Sequence, residues 1–305
     1  MGANNTIASQ LQLNVVLDAA MRAFKRRVLP VFAFAHTIQA VQLKGTNKIE
    51  VPYYPLATGA STDFSYTDGY TSNTRTLSYK EVEVKKRKYQ SITIQSDEFR
   101  RQPMVDWTKF ATLMGERLAE DVVTDIFSVV TAANYVNLGW GGPAGAFDYG
   151  TMCDLRTRAN QDMWPKSRRS VILDSAYDGN LFKSTMPYNV SGLPGSMTTG
   201  ESRPVAGFDT YECPIIPGNG TENIVGAAVY ESAVLVAFVP IEPLPQLQAT
   251  VVKYQAYSDP DTGLTLEFRE TVDGLHDTVY QTIECNYGYG VGEKAALRRI
   301  TSVAP

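Results

Sequence analysis

Leu77-Ser-Tyr-Lys-Glu-Val-Glu-Val-Lys-Lys-Arg-Lys-Tyr-Gln-Ser-Ile-Thr-Ile94 is a charged run that alternates like a strand. Val82 and Val84 oppose Glu81, Glu83, Lys85 and Arg87. After Pro103 the period changes. Trp107, Phe110, Met114, Leu118, Val122, Ile126 and Val130 recur every three or four residues, which places them on one face of a helix. From Pro103 to Thr131 that helix would run about 40 Å at about 1.5 Å per residue, with Asp97 or Asp106 as its cap. An exposed ribbon feeding a long half-buried helix suits a protein that lies flat and reaches over its neighbours.

The flanking segments extend this picture. Upstream, Lys48-Ile-Glu-Val-Pro-Tyr-Tyr-Pro55 alternates and then breaks at its prolines, so 41–94 reads as a two-stranded excursion. Its middle, Ala57 to Thr76, has almost no aliphatic residues and cannot hold a core. A ribbon this polar is marginal alone in water, so something outside the fold is expected to hold it. Before it, Leu13, Val16, Leu17, Ala20, Phe24 and Val28 predict a helix over 9–29, stopped by Pro30. The apolar Val31-Phe-Ala-Phe-Ala35 is expected to dock on the body or on another subunit.

Downstream, Gly139-Trp-Gly-Gly-Pro-Ala-Gly145 separates the long helix from a section of α/β texture. Met152, Leu155, Ala159 and Met163 predict a helix ending at Pro165; Ser170-Val-Ile-Leu173 reads as a buried strand, and Ala176–Lys183 as a short helix. Residues 185–204 read as a mobile loop, and Ser232–Phe238 as an apolar helix. From Leu247 strands dominate. Thr250–Tyr257 and Leu264–Thr271 are joined at Asp259-Pro-Asp-Thr-Gly263, where Pro presets φ and Gly takes a positive φ; Val279–Asn286 is a third strand. There is no internal repeat.

Composition bounds the function. The chain has 305 residues, enough for a sizeable core in one large domain or two, and a formal net charge of −4. That balance argues against a dedicated nucleic-acid binder, whose footprint is strongly basic. Cys153, Cys213 and Cys285 lie far apart and read as reduced thiols. No apolar window reaches the length of a membrane span, and the amino end lacks the layout of a secretory signal, so the expected setting is a cytoplasm without membrane contact.

Motifs that carry chemistry are missing from the sequence. His36 and His276 are the two histidines, and His276-Asp277 has no nucleophile elbow to serve, so it reads as a loop residue near the Asp273-Gly274 turn. No His/Cys cluster has zinc spacing. Asp259–Gly263 fails the calcium-loop pattern, and Gly288-Tyr-Gly-Val-Gly292 lacks the context of a dinucleotide fingerprint. The sequons at Asn189 and Asn219 are of the kind chance supplies. No enzyme activity and no cofactor are expected. Two basic clusters remain. Lys25, Arg26 and Arg27 either face nucleic acid or complement the end of the first helix. Lys85, Lys86, Arg87 and Lys88, beside Glu81 and Glu83, point to inter-subunit salt bridges, because strands that bind nucleic acid interleave aromatics and only Tyr89 is near.

Read in order, these parts resemble the major capsid proteins of tailed bacteriophages, with the Hong Kong 97-like fold shared by encapsulins. The resemblance covers nearly the whole chain. It implies an α+β fold with an amino-terminal arm (1–40), an extended β-hairpin loop (41–94), a peripheral domain with a long spine helix (95–148), an α/β axial domain (149–246) and return strands with the carboxy terminus (247–305). Asp154-Leu-Arg-Thr-Arg158, Arg168-Arg-Ser-Val-Ile-Leu173 and Ala206-Gly-Phe208 look like axial-domain segments. Asp259-Pro-Asp-Thr-Gly-Leu-Thr-Leu266 is similar to the family's Asp-x-x-Thr-Gly turn.

The resemblance further implies a structural, non-catalytic subunit that self-assembles as pentamers and hexamers into an icosahedral shell. That shell encloses double-stranded DNA, contacted without sequence specificity, and its place is the virion, assembled in the bacterial host cytoplasm. A separate scaffolding protein, a portal protein and a decoration or cement protein are the partners it suggests. An encapsulin-like compartment enclosing a cargo enzyme is the alternative reading of the same fold. A mixed α/β enzyme is disfavoured by the missing motifs, and a tail or decoration component by the length of the spine helix.

Overall fold

The computed structural model describes residues 3–38, 47–53, 63–67, 78–95, 107–189, 203–243, 250–259 and 262–303. The candidate caps Asp97 and Asp106, most of the ribbon's polar middle and the 190–202 part of the expected loop lie outside them.

Two helices form the floor of the molecule. α1 spans Ala3–Phe32 and α2 spans Trp107–Phe127. They pack along each other, and Gly115 sits where a Cβ would meet the Ala20 carbonyl oxygen at 2.4 Å, so the missing side chain sets the closest approach. Leu17, Ala20, Phe24 and Val28 of α1 are buried as their spacing predicts, with Leu118, Val122 and Ile126 of α2 against them. Two expectations fail. Pro30 lies inside α1 rather than before its end; it forfeits one helical hydrogen bond, to the Arg26 carbonyl, and the helix stops two residues later. The buried stripe of α2 runs through Ala111, Gly115, Leu118, Ala119, Val122 and Val123, so Phe110 lies at its margin and is half exposed. The apolar 31–35 segment docks on this chain itself: Val31 and Phe34 are buried, and Phe34 packs on Phe127 with ring centroids 4.9 Å apart.

A seven-stranded sheet covers these helices. Its strands are β1 (Ala35–Ile38), β2 (Lys48–Tyr53), β3 (Ser78–Gln95), β9 (Val234–Phe238), β10 (Val251–Ser258), β11 (Thr265–Asp273) and β12 (Thr278–Val291). One path runs β1-β9-β12-β11-β10, and β3 joins through β12 and carries β2. β9 corrects the apolar helix expected at Ser232–Phe238. Val234-Leu-Val-Ala-Phe238 is too short for a helix, rich in β-branched residues and buried on both faces, which is the signature of an interior strand.

A second sheet of six strands has the order β4-β13-β8-β5-β7-β6. These are β4 (Leu138–Gly141), β5 (Arg169–Leu173), β6 (Arg203–Val205), β7 (Phe208–Glu212), β8 (Ile224–Tyr230) and β13 (Leu297–Thr301). One face packs against α3 (Tyr149–Gln161) and α4 (Ser175–Asn189) around Met152, Leu155, Val171, Leu173 and Tyr177. The other presents Ile172, Ala227 and Val229 to the core that α1 and α2 share. α3 begins with a capping box between Asp148 and Thr151. It ends at Gln161, before Met163, which is exposed and held at φ 56°. α4 runs further than its apolar pattern predicts, to Asn189.

The chain passes between the sheets through α2, from β3 to β4, and twice more directly, from β8 to β9 and from β12 to β13. The two direct crossings touch: Gly292 N–H donates to Ala233 O at 2.9 Å and Glu293 N–H to Ser232 O at 2.9 Å. A Cβ on Gly292 would stand 2.2 Å from Ser232 O, so glycine is required there. Tyr135 Oη closes the junction by donating to Ala233 O at 2.6 Å.

Candidate assembly surface

The ribbon divides at one residue. β3 pairs with β12 from Gln95↔Thr278 to Lys86↔Tyr287, and the register then slips to Val84↔Gly288. Lys85 is the bulged residue, and it inverts which side chains face which way. Beyond the bulge, Lys86 and Lys88 face α2, with their ammonium groups 3.6 and 3.7 Å from Asp125 Oδ2. Before it, Val82 and Val84 lie against Leu235, Ala237 and Val239 on the sheet's far face. Gly288 permits this, since a Cβ there would stand 2.4 Å from Glu83 O. β2 then pairs with β3 from Lys48↔Glu83 to Tyr53↔Ser78.

The root of the ribbon is therefore held by its own chain, not from outside the fold. The sequence reading ends the excursion at residue 94, whereas pairing to β12 already begins at Val84. The polar pattern misleads because a strand fixed by backbone pairing on one flank and ion pairs on both faces needs few aliphatic residues. Lys80 adds to this anchorage by donating to Val291 O at 3.0 Å, and burial holds its ammonium below the usual lysine range.

Each residue of the charged run has a partner within the chain. Glu81 meets Lys48 at 2.6 Å and Glu83 meets Lys85 at 2.7 Å, both in exposed pairs. Arg87 donates to Glu284 Oε2 from Nε at 2.8 Å and from Nη2 at 2.6 Å. Glu284 is buried, and it also pairs with Arg269. Arg269 reaches Glu267 at 3.2 Å, while Asn286 Nδ2, Ile241 N–H and Tyr254 Oη donate to Glu267 at 2.6, 2.8 and 3.0 Å. Burial, reinforced by the Glu267 charge, lifts the Tyr254 phenol well above its ordinary range. Glu267, Arg269 and Glu284 thus form a largely buried network across β11 and β12, and the half-exposed Arg87 of β3 balances its charge.

Sequence reading found Arg87 but not its partners. The signal exists: Leu266-Glu-Phe-Arg269 and Ile283-Glu-Cys-Asn286 place acid and base on one face of neighbouring strands, but only the register shows that they meet.

The amino-terminal basic residues separate. Lys25 Nζ is 2.8 Å from Asp259 Oδ2, tying α1 to the turn before β11. Burial opposes ionisation of Asp259, but hydrogen bonds from Lys25 and Thr262 outweigh it and leave the carboxyl below its usual range. In that turn Gly263 has φ 70° and donates to Asp259 O at 2.9 Å, as its pattern predicts. Arg27 meets Glu120 of α2 at 2.8 Å, and this hydrogen bond holds the Glu120 carboxyl low. Arg26 is exposed. His276 accompanies Asp273 at 2.6 Å on the exposed β11–β12 turn. Among the described residues no cluster of His, Cys, Asp or Glu is placed to hold a metal, and no helix is long and apolar enough to cross a membrane.

No family model matches the chain, and no curated protein matches it in sequence. Solved structures do. The capsid of the cyanophage P-SCSP1u is similar over 88% of this chain and 87% of its own, with a TM-score of 0.57 and 14% identity. The capsid of an empty GTA particle covers 91% and 90% at a TM-score of 0.53 and 14% identity. The procapsid of satellite phage P4, solved with its size determination (Sid) protein, covers 100% and 98% at 0.51 and 11%. The two sheets, the long helix beneath them and the β2–β3 hairpin are thus the Hong Kong 97-like fold of phage capsid proteins.

Proposed function

We propose that this chain is the major capsid protein of a tailed phage, a structural subunit whose copies form pentamers and hexamers and close into an icosahedral shell around double-stranded DNA. The observation that carries the reading is the likeness to capsid structures along about nine-tenths of the chain. A shell role is structural rather than catalytic, and closure multiplies contacts that are individually weak. In this reading 1–40 serves as the arm, 41–94 as the extended loop, and 149–246 as the axial domain.

The hairpin supplies the inter-subunit contact. Glu81, Glu83 and Lys85 lie at the bulge and on the hairpin side of it in exposed ion pairs, which exchange partners at little cost. Lys86, Arg87 and Lys88 hold the hairpin's root, and Arg26 is an exposed member of the amino-terminal cluster for DNA or a neighbour. Sid in the P4 procapsid makes an external assembly partner an expectation here, alongside scaffold, portal and cement proteins. The virion is the expected location.

Expression of the chain with and without scaffold, followed by light scattering and electron microscopy, tests the reading. Rings or shells support it, and a stable monomer under both conditions overturns it. Shells that retain a protein cargo and exclude DNA would select the compartment reading instead.

A further inference from the structure

The six-stranded sheet and its two helices are electrically polar along β5. At the amino end of this strand Arg169 is only 4% exposed. Its guanidinium is held by oxygens that carry no net charge: Nε donates to Pro165 O at 2.7 Å, Nη1 to Asn160 Oδ1 at 2.8 Å, and Nη2 to Trp164 O. These bonds fix the 163–168 loop, whose ends Met163 and Arg168 both take positive φ. The loop exposes Lys166, and Arg156 on α3 lies close enough to Arg169 to depress its basicity further after burial. Among the described residues no carboxylate pairs with Arg156, Lys166 or Arg169, while the acids nearby, Asp162 and Glu231, are taken by Arg298 and Arg168. Asp209 also lies at this end and leaves it net positive.

The opposite end of β5 is acidic. Leu173 is in register with Glu212 of β7, Asp174 follows directly, and Asp178 stands in the first turn of α4. The two ends are separated by the five residues of β5, about 17 Å of strand. A contact that turned basic end on basic end would repel. A head-to-tail contact pairs opposite charges at every junction, and it closes into a ring when the rotation between neighbours is a whole fraction of a turn, as a fivefold or sixfold capsomer requires.

Resting on the shell reading, we infer that the occupant of the Arg156–Lys166 surface is the Glu212–Asp178 end of a second copy of this chain, so that this charge polarity joins neighbours within each pentamer and hexamer.

The test uses two full-length variants. One carries Arg156→Glu and Lys166→Glu, the other Asp178→Lys and Glu212→Lys, with circular dichroism to confirm folding. Each alone should lose rings by sedimentation and electron microscopy, because every junction becomes like against like. Mixed in equal amounts they should recover rings, alternating round the circle. Alternation closes with six members and not with five, so hexamers should return while pentamers stay absent. All four substitutions in one chain should restore both. Rings from either variant alone, or no recovery on mixing folded variants, overturn the pairing and leave the shell reading intact. A wild-type chain that forms no ring overturns the shell reading and this pairing with it.

Discussion

The two faces of the seven-stranded sheet are built on different physics. Towards α1 and α2 it presents Val234, Val236, Phe238, Phe268, Ile283, Cys285 and Tyr287, a continuous apolar surface. Burial raises the Cys285 thiol well above its ordinary range, which leaves it an inert part of that packing. The far face carries a small valine cluster where the hairpin crosses, and beside it the buried Glu284–Arg269–Glu267 network, closed from β3 by the half-exposed Arg87. Apolar packing is non-directional and tolerates small shifts. A balanced charge network works in one register, because a slipped strand leaves a buried charge alone. The helix face thus supplies bulk stability, and the far face fixes where the hairpin leaves the body.

The helix face should give the larger loss when cut. Phe127→Ala removes a ring that fills the space between Phe34 and the floor helices, and should destabilise the chain by about 3–5 kcal/mol in chemical unfolding. The hairpin should keep its pairing in the surviving native state, because β3 is held by its backbone register with β12 and by ion pairs to Asp125 and Glu284. Loss of hydrogen-exchange protection in 78–95 at the same rate as in α2 would show that the two faces are not separable.

The far face should break differently. Glu284→Ala strands Arg87 and Arg269 and should cost about 3 kcal/mol, with protection lost first in β3. Replacing both members of one pair, as Glu284→Leu with Arg87→Met, leaves Arg269 on Glu267 and should recover most of that stability. It should also loosen the register that places the bulge at Lys85. If this double variant keeps the wild-type protection pattern in 84–95, the network contributes stability only and does not specify register.

The same contrast explains what was legible beforehand. The apolar face announces itself by periodicity, so Leu17, Phe24, Leu118 and Val122 are identified from spacing alone, as is the buried β5. The Asp259–Gly263 turn is equally readable, because its chemistry is local. What failed depends on tertiary pairing. The Val234–Phe238 run is five apolar residues that periodicity cannot assign, and only its place between β1 and β12 makes it a strand. The charged 84–95 strand looks unsupported because its supports, Glu284 and Asp125, lie far along the chain. The polarity of β5 was equally hidden, since both ends are ordinary in sequence and only the parallel pairing with β7 brings Glu212 beside Asp174.

A smaller effect sharpens the comparison through pH. α1 is tied to the rest of the helix-face layer by Lys25–Asp259 and Arg27–Glu120, and both carboxyls titrate below their ordinary values. A carboxyl lowered by folding stabilises the native state once the pH is above its unfolded value. That contribution disappears as the pH falls through the lowered folded value. The window therefore opens near pH 4 and extends downward. The lysine and arginine are about two-fifths exposed, so each pair is worth about 1 kcal/mol or less. Acidification from pH 5 to pH 3 should thus selectively increase exchange in α1 relative to β12. The double variant Lys25→Ala, Arg27→Ala should already show that increase at pH 5 and change little further in α1. Equal acid sensitivity of α1 in the variant and the wild type would mean that apolar packing alone seats this helix, and that charge governs only the far face.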